Sequence, residues 1–174
     1  MSGAKRKLFR ISKYKTMGEV CEKKQCVFLG STLLSKIKLA EMFENSCAVK
    51  IYNRSVEKLD FQNVSEFINS CAIDLKPAKL FINMGEEDIK SAEFNLETFI
   101  TKYEWLLYQL HKSCFDCTLY IIPIISDEKA VWAVNYALEK LACETGCVFV
   151  KLNGMTIIHL LSALKQYLQD LGLC

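Results

Sequence analysis

Residues 76–89 read KPAKLFINMGEEDI, and the pattern they carry recurs along the whole chain. A Lys-Pro pair marks a turn, residues 80–84 (LFINM) are almost uniformly apolar, and Gly85 with three acids closes the run. A short apolar run between turn signals reads as a strand buried on both faces. Residues 26–29 (CVFL), 48–52 (AVKIY), 119–125 (LYIIPII) and 148–152 (VFVKL) read the same way. Between them, apolar residues recur at three and four spacing over 33–43, 64–73, 94–110, 130–143 and 157–171. The third of these segments is the clearest, with Phe99, Tyr103, Leu106, Leu107 and Leu110 on one stripe. Buried strands separated by single helices require right-handed crossovers and a parallel sheet covered on both faces. The expected architecture is therefore α/β, a three-layer α/β/α sandwich with a parallel sheet of about five strands.

The 174 residues suit one core, and a composition 51% hydrophobic and 24% charged with seven Gly and two Pro excludes low-complexity and disordered classes. The nine cysteines, among them Cys26, Cys47, Cys71, Cys114, Cys117, Cys143 and Cys147, lie in apolar runs rather than at framework spacings. They read as reduced core thiols of a cytoplasmic protein. Cys114 and Cys117 form a C-x-x-C, but Cys117 enters a strand-like run and no second pair completes a zinc site, so core packing is expected. No run is long enough to span a bilayer and no apolar signal core opens the chain.

The net charge of +2 conceals an asymmetry. Lys5, Arg6, Lys7, Arg10, Lys13 and Lys15 all precede the first acid, Glu19, while the remainder holds 16 bases against 20 acids. Residues 1–24 are read as a basic, solvated extension and 25–174 as the folded domain. Such an arm could meet nucleic acid or an anionic membrane. Only Phe9 and Tyr14 are available to stack on bases, so nucleic acid is not an expected partner.

In open parallel sheets ligands sit beyond the carboxyl ends of the strands. The loops that matter are then 30–32, 53–55, 85–88, 126–127 and 153–158. The single glycine after the first strand fits neither G-x-G-x-x-G nor a P-loop, and a G-x-S-x-G elbow is absent.

Taken together, the loops carry a resemblance. VFLGSTLL (27–34) resembles the F-x-G-D-S-L start of SGNH (GDSL) hydrolases, and Asn53-Arg54-Ser55 resembles their N-R-G. The KPAKLFINMGEEDI run is similar to their K-P-d-x-v-x-l-x-x-G-x-N-D segment. Asn135 fits an asparagine before the last strand, and TIIH (156–159) falls where the family has D-x-x-H. The resemblance spans about residues 25–171 and implies a flavodoxin-like SGNH-hydrolase fold acting on acyl esters.

Matched by position, the implied catalytic set is altered. Thr32 stands at the nucleophile, with Ser31 before it; a β-branched hydroxyl is stiff on a tight turn. Ser31 could substitute only through a one-residue shift of that turn. At the oxyanion positions Ser55 replaces a glycine but keeps its N–H, Gly85 is kept, Glu87 replaces the asparagine, and Asp88 follows. Loss of one oxyanion donor costs about 3–4 kcal/mol of barrier. His159 keeps the acid/base position, while Thr156 replaces the aspartate that would orient it.

The resemblance with these departures implies an SGNH-like protein with catalysis impaired or lost and its pocket kept for a small acyl or carbohydrate ester ligand or a partner. The alternative is an atypical esterase with Ser31 or Thr32 as nucleophile, His159 as base, and Asp127 or a backbone carbonyl as orienter. Glu86, Glu87 and Asp88, with Asp127 and His159 nearby, include hard oxygen ligands for magnesium or calcium. Three acids after a strand read first as a solvated helix cap, so no metal or cofactor is expected. His111 ends the third helix, where the dipole favours it.

Overall fold

The computed structural model describes residues 3–43 and 49–170. Five strands form one sheet: β1 (Cys26–Gly30), β2 (Ile51–Asn53), β3 (Lys79–Asn83), β4 (Thr118–Ile121) and β5 (Val148–Phe149). Their order is β2-β1-β3-β4-β5 with every pairing parallel, the flavodoxin-like arrangement expected from the sequence. The helices are α1 (Gly3–Gly18), α2 (Thr32–Ser35), α3 (Leu39–Phe43), α4 (Val64–Cys71), α5 (Leu96–Ser113), α6 (Val131–Thr145) and α7 (Ile157–Asp170).

Alternation along the strands divides the core into two layers. Val27, Leu29, Leu80, Ile82, Leu119 and Ile121 face α1, α4, α5 and α6, where Phe67, Phe99, Tyr103, Leu106 and Leu138 are buried. Cys26, Phe28, Phe81 and Tyr120 face α2, α3 and α7, whose Leu34, Leu39, Leu160, Leu164 and Leu168 cover them. The in-register triplet Phe28, Phe81 and Tyr120 stacks across three strands, with centroids 4.7 and 4.4 Å apart. Aromatic pairs of this kind contribute about 0.5–1.5 kcal/mol beyond area burial.

Several boundaries differ from the sequence reading for identifiable reasons. The helix expected over 33–43 is broken in two because Asn53 Nδ2 donates to the carbonyls of Leu34 (2.7 Å) and Ile37 (2.9 Å), ending the first piece. The strand expected over 119–125 stops at Ile121. Pro123 has no N–H to offer a ladder, and the amide of buried Asn135 brackets Ile124, donating to its carbonyl and accepting from its N–H. The strand expected over 148–152 ends at Phe149; the Lys151 N–H instead donates to the Tyr167 hydroxyl. Cys47, Ala48 and Leu171, included in the sequence reading, lie outside the described residues.

The basic segment is not a solvated tail. Residues 3–18 form α1, which packs on α4 and sets Tyr14 into the core, 8% exposed. Ile11, Tyr14 and Gly18 recur at three and four spacing on the inward side, the helical signal that the density of charge obscures. The cysteine pair behaves as a packing element: Cys114 and Cys117 are buried free thiols, and desolvation pushes Cys117 up to about 12. Among the described residues no helix is long and apolar enough to cross a membrane.

Candidate active site

The candidate residues sit beyond the carboxyl ends of β1, β2, β3 and β5, where the fold places ligand-binding loops. After β1 the chain turns tightly at Gly30, where a Cβ would lie 2.9 Å from both the Asn83 carbonyl oxygen and Leu34 Cδ1. The next residue, Ser31, is fully buried and its hydroxyl donates to the Leu59 carbonyl at 2.9 Å. A buried, committed donor cannot attack a substrate, so Ser31 serves to tie the β1–α2 turn to the loop before α4.

Thr32 is better placed but equally committed. Its hydroxyl donates to Glu87 Oε1 at 2.7 Å and accepts from the Lys58 N–H at 3.0 Å. A hydroxyl has one proton to give, and here it goes to a carboxylate rather than to an imidazole. Among the described residues no hydrogen bond joins Thr32 to His159.

The acids 86–88 do not form the expected solvated cap. Each carboxylate turns inward to a donor on another element. Glu86 Oε2 accepts from the Leu33 N–H at 2.8 Å, and so supplies the N-terminus of α2 with the cap that the Ser31 side chain does not. Glu87 takes Thr32, and Asp88 Oδ1 accepts from the Phe61 N–H at 3.1 Å. Lys90 Nζ lies 3.0 Å from Glu86 and 3.3 Å from Glu87, balancing part of their charge. The orphan donors of a short helix and a turn thus draw in side chains that would otherwise face water.

Asp88 is the strained member. Its second oxygen is buried without a partner, and desolvation, reinforced by the nearby Asp60 charge, raises its carboxyl above the ordinary range. A raised folded-state value means the native protein binds a proton more readily than the unfolded chain. The burden on stability is therefore absent at acid pH and develops as pH rises through the unfolded and then the folded value. Asp88→Asn is expected to raise the thermal midpoint at neutral pH, with the gain vanishing at acid pH; parallel melts of both proteins across that range check this.

On the β2 side, the Ser55 N–H accepts no role as a free donor, because it already donates to Asn53 Oδ1 at 3.1 Å, and Ser55 Oγ is buried without a partner. Arg54, 2% exposed, lies over the Tyr14 ring at 4.7 Å, and the Tyr14 hydroxyl donates to the Ser55 carbonyl at 3.2 Å. Sequence reasoning gave a role to Ser55 alone in this triplet. The structural work of Asn53, Arg54 and Tyr14 joins residues up to 41 positions apart, a pairing no local pattern encodes.

His159 retains an orienting partner. Thr156 Oγ1 lies 2.7 Å from His159 Nδ1, replacing an absent carboxylate by a neutral hydroxyl, and the ring packs against Gly154, where a Cβ would fall 2.5 Å from it. Asp127 is exposed and makes no hydrogen bond to His159. His159 lines a polar cleft with Lys151, Asn153, Ser162 and Gln166. Glu87 and Asp88 line a separate cavity of about 300 Å³ with Asp60, Gln62, Asn95, Lys102, Phe94 and Phe99. The two share no residue. Among the described residues no group of His, Cys, Asp and Glu is arranged to hold a metal ion. The other histidine, His111, closes α5 with its Nε2 3.5 Å from Cys147 Sγ.

No family profile and no curated protein matches the sequence. Solved structures do match the fold. A protein from Streptococcus pneumonia assigned as a platelet activating factor aligns with TM-score 0.78 at 17% identity, covering 96% of this chain and 92% of its own. A GDSL-like lipase from Bacteroides thetaiotaomicron aligns with TM-score 0.72 at 13% identity, covering 92% and 97% respectively. A catalytic mutant of an acetylxylan esterase from Geobacillus stearothermophilus aligns with TM-score 0.65 at 9% identity, covering 88% and 97%. With its 2-1-3-4-5 parallel sheet and its near full-length superposition on these structures, the chain has the fold of the SGNH (GDSL) hydrolase superfamily.

Proposed function

We propose that this chain keeps the SGNH scaffold as a binding protein for acylated carbohydrate, with its ester-cleaving machinery disabled. The observation that carries the reading is the 2.7 Å bond from the Thr32 hydroxyl to Glu87. It removes the proton that a general base would take and sets a carboxylate beside the position where an oxyanion would develop, repelling the charge that a hydrolase must stabilise. The Ser55 N–H, matched to the second oxyanion donor, is committed to Asn53.

The cavity beside Glu87 supports the ligand class. Carboxylates and amides from Asp60, Gln62 and Asn95 suit hydroxyl groups, and the half-buried Phe94 offers apolar surface to the C–H face of a sugar ring. An acetylxylan esterase among the fold neighbours points to the same substrate class.

Purified protein is expected to hydrolyse p-nitrophenyl acetate at the background rate, unchanged by Thr32→Ala or His159→Ala. Acetylated xylo-oligosaccharide should give saturable heat in calorimetry that Gln62→Ala weakens. Turnover abolished by Thr32→Ala or His159→Ala would instead establish an atypical esterase. The Thr156–His159 bond favours that second reading, since it keeps the imidazole oriented.

A further inference from the structure

We infer that the outward face of α1 is a docking surface for an anionic lipid bilayer. The helix is two-sided in a way its composition hides. Its inner side is fixed to the domain: Tyr14 is buried, its hydroxyl donates to the Ser55 carbonyl at 3.2 Å, and the helix packs along α4. Its other side presents Leu8 (59% exposed) and Phe9 (67%), with Val20 (85%) just beyond the helix end. At 100° per residue, Leu8, Phe9, Ser12 and Thr16 lie opposite Tyr14, flanked by Lys13 and Lys15.

Two independent observations select the partner. The first 18 residues carry six bases and no acid, while the rest of the chain holds 16 bases against 20 acids, so the net excess of positive charge is local to this one segment. Neither Lys13 nor Lys15 forms an ion pair with a described residue, so both are available to an external anion. Within that basic setting the exposed groups are aliphatic side chains and one phenyl ring. Apolar residues flanked by lysines match a bilayer interface, where side chains enter the acyl boundary and ammonium groups meet anionic headgroups.

A nucleic acid would need aromatic platforms for its bases. The structure removes one of the two aromatics in the segment, Tyr14, into the core and leaves Phe9 alone.

The test is flotation of the full chain with vesicles of phosphatidylcholine alone and of an equimolar phosphatidylcholine–phosphatidylglycerol mixture. The chain should float with the anionic vesicles only, and less so as salt rises. Leu8→Ser with Phe9→Ser should lower the association constant about tenfold, and Lys13→Gln with Lys15→Gln about twenty-fivefold, at about fivefold per basic residue. All four side chains are exposed, and an unchanged melting midpoint for each double variant verifies that the fold is kept. Absence of flotation at low salt, equal flotation with neutral vesicles, or full flotation of the Leu8→Ser/Phe9→Ser protein would overturn the inference. Retention of a single-stranded oligonucleotide by that last variant at wild-type level, without vesicle binding by the wild type, would make α1 a nucleic-acid surface instead.

Discussion

A chain carrying Thr32→Ser, Glu87→Asn and Thr156→Asp together should hydrolyse p-nitrophenyl acetate about a thousandfold faster than the wild type, with a serine-directed phosphonate labelling residue 32. The wild-type hydroxyl gives its only proton to Glu87. An asparagine at 87 removes that acceptor's charge and supplies an amide donor of the kind whose loss costs about 10²–10³ in rate. A serine at 32 restores rotamer freedom on the turn after Gly30. An aspartate at 156 would occupy the place from which Thr156 Oγ1 now reaches His159 Nδ1 at 2.7 Å, and would stabilise the imidazolium that a neutral hydroxyl cannot.

Because such groups act as a unit, the single substitutions should each gain less than about tenfold, and most of the effect should appear only in the triple variant. A flat result would locate the remaining block elsewhere. The Ser55 N–H, held by Asn53 Oδ1 at 3.1 Å, is the next group to release.

What the sequence disclosed, and what it did not, follows from how local each signal is. Strand runs such as 80–84 and the stripe Phe99, Tyr103, Leu106, Leu107 and Leu110 are patterns within one element, and the alternation they set leads to a parallel, covered sheet, while its flavodoxin-like order is implied by the resemblance. The substitutions at Thr32, Glu87 and Thr156 are legible because a resemblance assigns the positions. Their contacts are not, since Glu86 capping α2 and Glu87 binding Thr32 join residues 53 and 55 positions apart. Sequence reading treats three consecutive acids as one solvated block. Folding separates them, because each finds a different unsatisfied donor near the same loop junction. Tyr14 was misread for a related reason: a run of bases suggests solvent, whereas one buried ring with Arg10 and Arg54 against it is enough to dock the helix.

Gly85→Ala should be the most damaging single-methyl addition near the site, lowering unfolding free energy by about 3–5 kcal/mol in urea titration with an unchanged slope. Two costs combine. The residue has φ +109, a conformation that L side chains rarely adopt, at roughly 1–2 kcal/mol or more. Its Cβ would also lie 2.5 Å from Phe99 Cζ and 2.8 Å from Ile124 Cδ1. The ring cannot withdraw, because Phe61, Phe94 and Tyr103 surround it with centroids 5.4, 5.7 and 5.9 Å away. Against a typical total of about 5–15 kcal/mol, that loss is a large share of the protein's stability. Phe99→Leu distinguishes the two costs. It opens space beside Gly85 without altering the backbone angle, so in the double variant the steric cost should fall while the conformational cost stays. A double-mutant cycle should then return a favourable coupling of about 1–2 kcal/mol. Strict additivity would mean that the backbone conformation alone requires glycine here, and that the loop carrying Glu86, Glu87 and Asp88 is directed by φ rather than by the packing of Phe99.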